Sequence, residues 1–184
     1  MTIAIEKMLD KLLGLEGGYV NNPGDSGGET HWGITVAVAR EEGYTGRMID
    51  MTHDQAKLIY LRRYWIKPKF ADVSARSTVL AEELFDTGVN CGTATAAMML
   101  QRALNVMNNQ ASIYADLKVD GAIGSATLAA LDKYLAKRGK EGEAVLFNAL
   151  NCLQGERYID LAERRQKDEA FVYGWIKNRV GVIA

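Results

Sequence analysis

The most constraining feature of the sequence is an apolar helix face that leads directly into a glycine-rich segment, within residues 12–35. Four residues recur at the spacing i, i+4, i+7 and i+11 and therefore share one face of a predicted α-helix: Ile5, Leu9, Leu12 and Glu16. Met8 and Leu13 widen this face. Two glycines follow at once, and glycine directly after a periodic run is typical of a helix end. The pattern predicts a buried helix whose last turn directs a carboxyl group toward the interior or its rim.

Glu16 is consequently expected near the C-terminus of that helix, where unpaired carbonyl groups present a partial negative charge. A carboxylate is disfavoured there, and partial burial disfavours it further, so both effects are expected to raise the pKa of Glu16. A carboxylic acid that keeps its proton near neutral pH is what general acid catalysis requires. The alternative is a solvated glutamate at a helix end. The apolar register and the segment that follows favour the catalytic interpretation.

Helical periodicity also dominates the rest of the chain. Thr35 can cap a short helix over residues 36–42, and Thr52 with Gln55 has the capping-box spacing. The C-terminal helical stretch is expected to be interrupted or bent at Gly155. Alternating strand patterns are nearly absent, although turn-favouring residues allow a short hairpin within residues 19–34. The sequence therefore predicts a mainly α fold with at most a small β-hairpin near the glycine-rich segment.

Composition excludes several classes of function. A net charge of −1 spread over 184 residues gives no electrostatic footprint for nucleic acid. The basic cluster Lys133–Lys140 is short and is interpreted as a solvated helix end, with a polyanion site as the alternative. With two histidines and two cysteines that form no ligand motif, we expect neither a metal nor a cofactor. Cys91 and Cys152 could pair but are both expected to be buried.

The glycine-rich segment adds a second acid and two hydroxyl groups. Asp25 lies nine positions after Glu16, and Thr30 follows five positions later. An acid at a helix end, a second acid in the following loop and a nearby threonine resemble the arrangement of phage-type lysozymes. For Asp25 the alternative is a loop residue that caps its own backbone. For Thr30 the alternative is a loop residue whose hydroxyl group forms a hydrogen bond to the backbone.

The run EGGYVNNPGDSGGETHWGIT, residues 16–35, resembles more closely the signature of the N-acetylmuramidases of glycoside hydrolase family 108. That signature is E-G-G-Y, then a proline and D-x-G-G-x-T, then G-I-T, and every position is filled. The likeness continues through residues 81–105, Asp120-Gly121 and Phe171-Gly174-Trp175, which are similar to the helical, peptidoglycan-binding region of such proteins. The resemblance implies a lysozyme-like N-terminal catalytic lobe at residues 1–85 and a peptidoglycan-binding lobe at residues 86–184, closely packed together.

The resemblance also implies an activity and its residues. Glu16 would protonate the oxygen of the β-1,4 bond between N-acetylmuramic acid and N-acetylglucosamine, Asp25 would stabilise the charged sugar or activate water, and Thr30 would hold that water or a sugar hydroxyl. Tyr19, Trp32 and Thr35 are candidate substrate-binding residues, although an aromatic residue is more often part of a core. The alternatives are a lytic transglycosylase and a non-catalytic protein of the same fold that binds the wall or assists secretion.

The partners and location follow from the same resemblance. Peptidoglycan glycan strands are the expected partner of a monomeric endolysin. The first 20 residues carry charges inside an amphipathic helix and do not have the form of a signal peptide. No apolar run is long enough to span a membrane. We therefore expect an enzyme that is held in the host cytoplasm before lysis and reaches the wall with the help of a holin.

Overall fold

The computed structural model describes residues 3–15, 18–21 and 28–180. These residues form eight α-helices: α1 Ile3–Leu15, α2 Val36–Glu41, α3 His53–Leu61, α4 Phe70–Ser74, α5 Thr78–Cys91, α6 Thr93–Val106, α7 Ser125–Arg164 and α8 Glu169–Arg179. Short 3₁₀ helices occur at Met48–Asp50 and Gln166–Asp168, and a π-helix, Arg62–Ile66, extends α3. Two short strands, β1 Thr30–His31 and β2 Ile34–Thr35, pair in antiparallel fashion. The fold is mainly α with one small hairpin, as predicted.

The chain divides into two compact units, Met1–Lys67 and Pro68–Ala184. The predicted lobe boundary after Phe85 falls inside α5, which belongs entirely to the second unit. The assignment of a catalytic lobe and a wall-binding lobe to residues 1–85 and 86–184 stays a prediction.

The first unit is built on the predicted apolar face of α1. Ile5, Leu9 and Leu13 on this face are fully buried. Helix α1 packs on α3, and the pair is tied at the surface by an ion pair of 2.7 Å between Asp10 Oδ1 and Lys57 Nζ. The spacing of apolar residues in the sequence therefore identified the buried side of this helix correctly.

Helix α3 begins at the predicted capping box. The backbone N–H of Gln55 donates to Thr52 Oγ1 at 3.3 Å, and the N–H of Thr52 donates to Gln55 Oε1 at 2.9 Å. At its other end α3 widens into the π-helix, where Lys67 N donates to Arg62 O at 2.9 Å. The helix stops before Pro68, since proline disfavours helical backbone in the residue before it.

The second unit is a helical core in which α5 packs against α4, α6 and α7. Gly88 lets α4 approach α5 closely, because a Cβ at this position would lie 3.0 Å from the Phe70 ring. Leu80, Leu84, Leu100 and Leu104 are buried in this core.

The segment between α6 and α7, which has no helix, is held in place by side chains of α6. The buried Gln101 amide donates to Asp120 Oδ1 and Ala122 O, and its oxygen accepts from the backbone N–H groups of Asp120 and Gly121. Asn105 forms a similar pair of hydrogen bonds to the backbone of Leu117. Two amide side chains thus satisfy backbone groups that regular structure would otherwise pair.

The predicted interruption or bend of the C-terminal helical stretch at Gly155 is wrong. Helix α7 runs without interruption through Gly155, and its kink lies at Gly139, where φ is 61° and ψ is −150°. A Cβ at Gly155 would lie 3.6–3.8 Å from side-chain atoms of Val180 and Ile176, which is ordinary van der Waals distance. The expected burial of both cysteines is also wrong. Cys152 is exposed and Cys91 is half-buried, and both are free thiols.

A polar network crosses the core of the second unit. Gln154 Nε2 donates to Asp86 Oδ2 at 3.1 Å and to Thr87 Oγ1 at 3.0 Å, and Arg179 donates to Asp86 Oδ1 at 2.7 Å. Glu83, one turn before Thr87 and buried, accepts a long hydrogen bond from the Thr87 hydroxyl. Burial, reinforced by the charge of Asp86, raises the pKa of Glu83 to about 7.

The raised pKa of Glu83 makes the stability of the second unit depend on pH. Because the folded-state pKa lies above the unfolded value, stability is fully present below the unfolded pKa and is lost as pH rises through about 7. The loss is about 3 kcal/mol at most. In Glu83→Gln this loss is expected to disappear, as measured by urea unfolding between pH 4.5 and 8. The exposed Glu156→Gln is the matched control and keeps the wild-type profile. A Glu83→Gln profile identical to that of the wild type contradicts the assignment.

Candidate functional site

The hairpin in the first unit turns through Trp32 and Gly33, which have φ values of 54° and 70°. Positive φ at both central residues is the geometry of a two-residue type I′ turn, which suits the twist of the flanking strands. Glycine adopts it freely, whereas left-handed backbone costs about 1–2 kcal/mol at a residue with a Cβ. The turn therefore depends on contacts that hold Trp32 in place.

Those contacts come from three sides of Trp32. The indole Nε1 donates to Met51 O at 2.9 Å. The indole ring stacks on the His31 ring with 5.1 Å between the ring centroids, and it packs edge-to-face against the His53 ring with 5.4 Å between the centroids. The Tyr60 hydroxyl donates to Trp32 O at 3.3 Å. His31 Nδ1 in turn donates to Met48 O at 2.6 Å, since a carbonyl oxygen can only accept. The tip of the hairpin is thus fixed to the rest of the unit.

A third segment pairs with the hairpin on its other side. Val20 N donates to Thr30 O at 2.8 Å, and Thr30 N donates to Val20 O at 2.9 Å. On the opposite edge Thr30 faces Thr35, and Val36 N donates to Glu29 O at 2.8 Å. Thr30 therefore occupies the middle of three paired segments.

The two faces of this patch differ. Directly opposed residues share a face, so Thr30 and Thr35 lie side by side, both half-buried. His31 and Ile34 form the other face and are buried at 8% and 3% exposure. The threonine hydroxyls belong to the face turned away from this core. Thr30 Oγ1 donates a long hydrogen bond of 3.4 Å to Gly28 O.

A tyrosine and a carboxylate brace the same patch. The Tyr19 hydroxyl donates to Glu29 Oε1 at 2.6 Å, and this hydrogen bond raises the pKa of Tyr19. The rings of Tyr19 and His31 pack edge-to-face, with 6.1 Å between their centroids. Because side chains alternate between the two faces along extended backbone, Glu29 lies on the same face as His31, and Thr30 lies on the other face. Sequence reasoning missed Glu29 as a site residue, although it is the acid next to Thr30.

The predicted site residues fall into two groups. Thr30, Thr35, Tyr19 and Trp32 lie together on or beside the hairpin, and the two aromatic residues are half-buried and engaged with neighbouring groups. Glu16 and Asp25 lie outside the described residues. In the sequence, Glu16 comes four positions before Val20, and Asp25 lies midway between Val20 and Thr30. The catalytic roles of both acids stay predictions.

Within the described part of the chain, no group of three or more histidine, cysteine, aspartate or glutamate side chains is placed to hold a metal ion. The same residues contain no helix long and apolar enough to cross a membrane.

Comparison with protein families assigns both halves of the chain. Residues 9–92 match the family model described as Glycosyl hydrolase 108, and residues 95–180 match the model described as Predicted Peptidoglycan domain. The first match contains the second half of α1, the hairpin and the threonine pair. The chain carries a glycosyl hydrolase 108 domain. The protein is therefore a glycoside hydrolase that acts on peptidoglycan and degrades the bacterial cell wall, and peptidoglycan is its partner.

The fold of the chain is also found in a solved structure. "Structure of Brucella abortus SagA" aligns with a TM-score of 0.57 and 24% sequence identity, over 95% of this chain and 96% of that chain. At this identity the likeness establishes the fold alone. No curated protein is significantly similar to this chain.

Thr35 in the glycosyl hydrolase 108 domain has a structural role that can be separated from any contact with substrate. Its Oγ1 accepts from Val38 N at 3.3 Å and caps α2, as predicted. Loss of such a cap costs about 1 kcal/mol. Thr35→Ala is therefore expected to lower the unfolding free energy of the first unit by about this amount, as measured by chemical denaturation.

Thr35→Ser keeps the hydroxyl group and is expected to restore most of this loss. The exposed Thr45→Ala is the matched control for deletion of a threonine side chain. Equal stability of Thr35→Ala and Thr35→Ser argues against the cap.

Proposed function

We propose that this enzyme hydrolyses the β-1,4 bond between N-acetylmuramic acid and N-acetylglucosamine in peptidoglycan. Glu16 is the general acid that protonates the glycosidic oxygen. Asp25 stabilises the positive charge that develops on the sugar ring or activates the attacking water. Thr30 holds that water or a hydroxyl group of the sugar.

The observation that carries this proposal is the central position of Thr30 in the three paired segments. The Val20–Thr30 hydrogen bonds join the segment that follows Glu16 to the strand that follows Asp25. They therefore connect the two ends of the sequence stretch that contains the second acid. The fixed Trp32 turn supports the other side of the same strand. A constellation that must hold its reacting groups in a productive geometry benefits from such rigid support.

Resemblance of the glycine-rich motif to that of endolysins supports a biological role in host lysis. In that role the enzyme acts as a monomer on glycan strands, and a holin lets it reach them from the cytoplasm. These partners and this location are part of the proposal.

Replacement of the proposed acid tests the mechanism. Glu16→Gln is nearly isosteric but cannot donate a carboxylic proton, so kcat on purified sacculi is expected to fall by at least about 100-fold. The circular dichroism spectrum is expected to stay unchanged. Glu6→Gln, at an exposed position on α1, is the matched control and keeps full activity. Wild-type activity in Glu16→Gln would refute the assignment.

Product analysis tests the reaction. Digested peptidoglycan is expected to show reducing N-acetylmuramic acid ends by mass spectrometry, because water completes the cleavage. Anhydromuramic ends would instead identify a lytic transglycosylase. Release of free stem peptides without new glycan ends would place the cleavage outside the glycan.

A further inference from the structure

A cavity of about 350 Å³ lies in the second unit, between the end of α6 and the kink of α7. Its volume is in the range of small-ligand pockets and exceeds that of an amino acid side chain. Val106 and Val145 line it and are exposed although apolar, and Met107 and the buried Tyr134 complete the apolar wall. Exposed apolar surface in a concavity is typical of a binding site. The cavity lies within residues 95–180, which match the peptidoglycan domain.

The kink of α7 shapes this cavity. Gly139 has a φ of 61°, which glycine adopts freely, and it divides α7 into two arms, residues 125–138 and 140–164. The Tyr134 hydroxyl of the first arm donates to Gly142 O of the second arm at 2.9 Å. A Cβ at Gly142 would overlap the Cβ of Arg138, so the close approach of the two arms requires glycine there. The stem of Arg138 is therefore held against the second arm.

Two opposite charges lie unpaired on the wall of the cavity. Arg138 ends the first arm of α7, Glu141 lies in the first turn of the second arm, and both side chains line the cavity. No ion pair joins them, and neither has an ion-pair partner within residues 3–15, 18–21 and 28–180. Their neighbours Lys140 and Glu143, by contrast, pair with each other at 3.0 Å.

This combination of charges narrows the occupant. An anionic group such as a phosphate would be attracted by Arg138 but repelled by Glu141, and a lone ammonium group would meet the reverse. A neutral sugar would displace water from both charges without replacing it by an ion pair. A group that carries a carboxylate and an ammonium on one carbon, at the end of an aliphatic chain, satisfies both charges and the apolar wall.

We propose that this cavity binds the free amino acid end group of a stem-peptide side chain in peptidoglycan. The carboxylate pairs with the planar fork of Arg138, the ammonium pairs with Glu141, and the aliphatic chain lies along Val106, Met107 and Val145. Diaminopimelate has such a side chain, whereas the side chain of lysine ends in an ammonium alone. The cavity thus selects walls by the third residue of the stem peptide, whichever glycan bond the enzyme cleaves.

Soluble tripeptides that differ in one charge test this proposal. Isothermal titration calorimetry of the full chain compares L-Ala-γ-D-Glu-meso-diaminopimelate with its lysine counterpart, which lacks the side-chain carboxylate, and with the form whose side-chain ammonium is acetylated. Each loss is expected to weaken binding about fivefold, the upper range for an ion pair that is partly exposed. Free D-norvaline has the same end group without the peptide and is expected to bind more weakly than the first tripeptide.

Variants assign each preference to one side chain. Arg138→Gln is expected to bind the diaminopimelate and lysine tripeptides equally and to keep its preference for the free ammonium. Glu141→Gln is expected to show the converse pattern, which a general loss of stability would not produce. Lys137→Gln and Glu156→Gln make the same charge changes at exposed positions of the two arms outside the cavity, and both keep the two preferences.

The outcomes are independent of the proposed cleavage reaction, because the tripeptides contain no glycan. Glu16→Gln is accordingly expected to keep both preferences even when it has lost activity on sacculi. Equal affinity of the wild type for the three tripeptides, or a preference that survives in the variant assigned to it, overturns the site. D-Norvaline that binds as tightly as the first tripeptide also overturns it, since the cavity would then hold a free amino acid.

Discussion

The left-handed backbone of Trp32 is the constraint on which the candidate site depends. A two-residue hairpin turn with a bulky first residue is unfavourable in isolation, so the indole must be held by contacts outside the turn. Met51, His31 and His53 supply those contacts, and His31 is itself anchored to Met48. Once the tip is fixed, the register of β1 and β2 follows, and Thr30 and Thr35 are brought to one face.

The hairpin then orders its neighbours on both sides. On one edge Val20 is hydrogen-bonded to Thr30, and on the other Thr35 begins α2 as its cap. The same threonine lines a small cavity that ends at the π-helix of Arg62–Ile66. The same few residues therefore form the backbone pairing of the hairpin and the cap of α2. Thr35 is a cap of α2 and also a candidate substrate-binding residue, so separate variants are needed to test the two roles.

Much of the helical framework could be predicted from the sequence. The apolar spacing of Ile5 and Leu9 identified the buried side of α1, and Thr35 and Thr52 marked the starts of α2 and α3. These signals are local, because a helix face and a cap are set within one or two turns. The prediction at Gly155 was wrong because the low helix propensity of glycine is a weak signal, which the surrounding long helix overrides here.

Other features of the site depend on contacts between distant parts of the chain. The left-handed conformation of Trp32 requires Met51, and the exposure of Cys152 depends on which side of α7 faces α5. The hydrogen bond between Tyr19 and Glu29 joins two residues ten positions apart that no helical or strand period relates. The motif itself was recognised as a run of residues, whereas the pairing of Thr30 with Val20 and Thr35 emerged only from the fold.

The most direct measurement is a crystal structure of the Glu16→Gln variant with a bound peptidoglycan fragment. The account predicts that the glycan lies across the face of the hairpin formed by Thr30 and Thr35, with the glycosidic oxygen within hydrogen-bonding distance of residue 16. A glycan bound elsewhere, with neither threonine in contact, would contradict it.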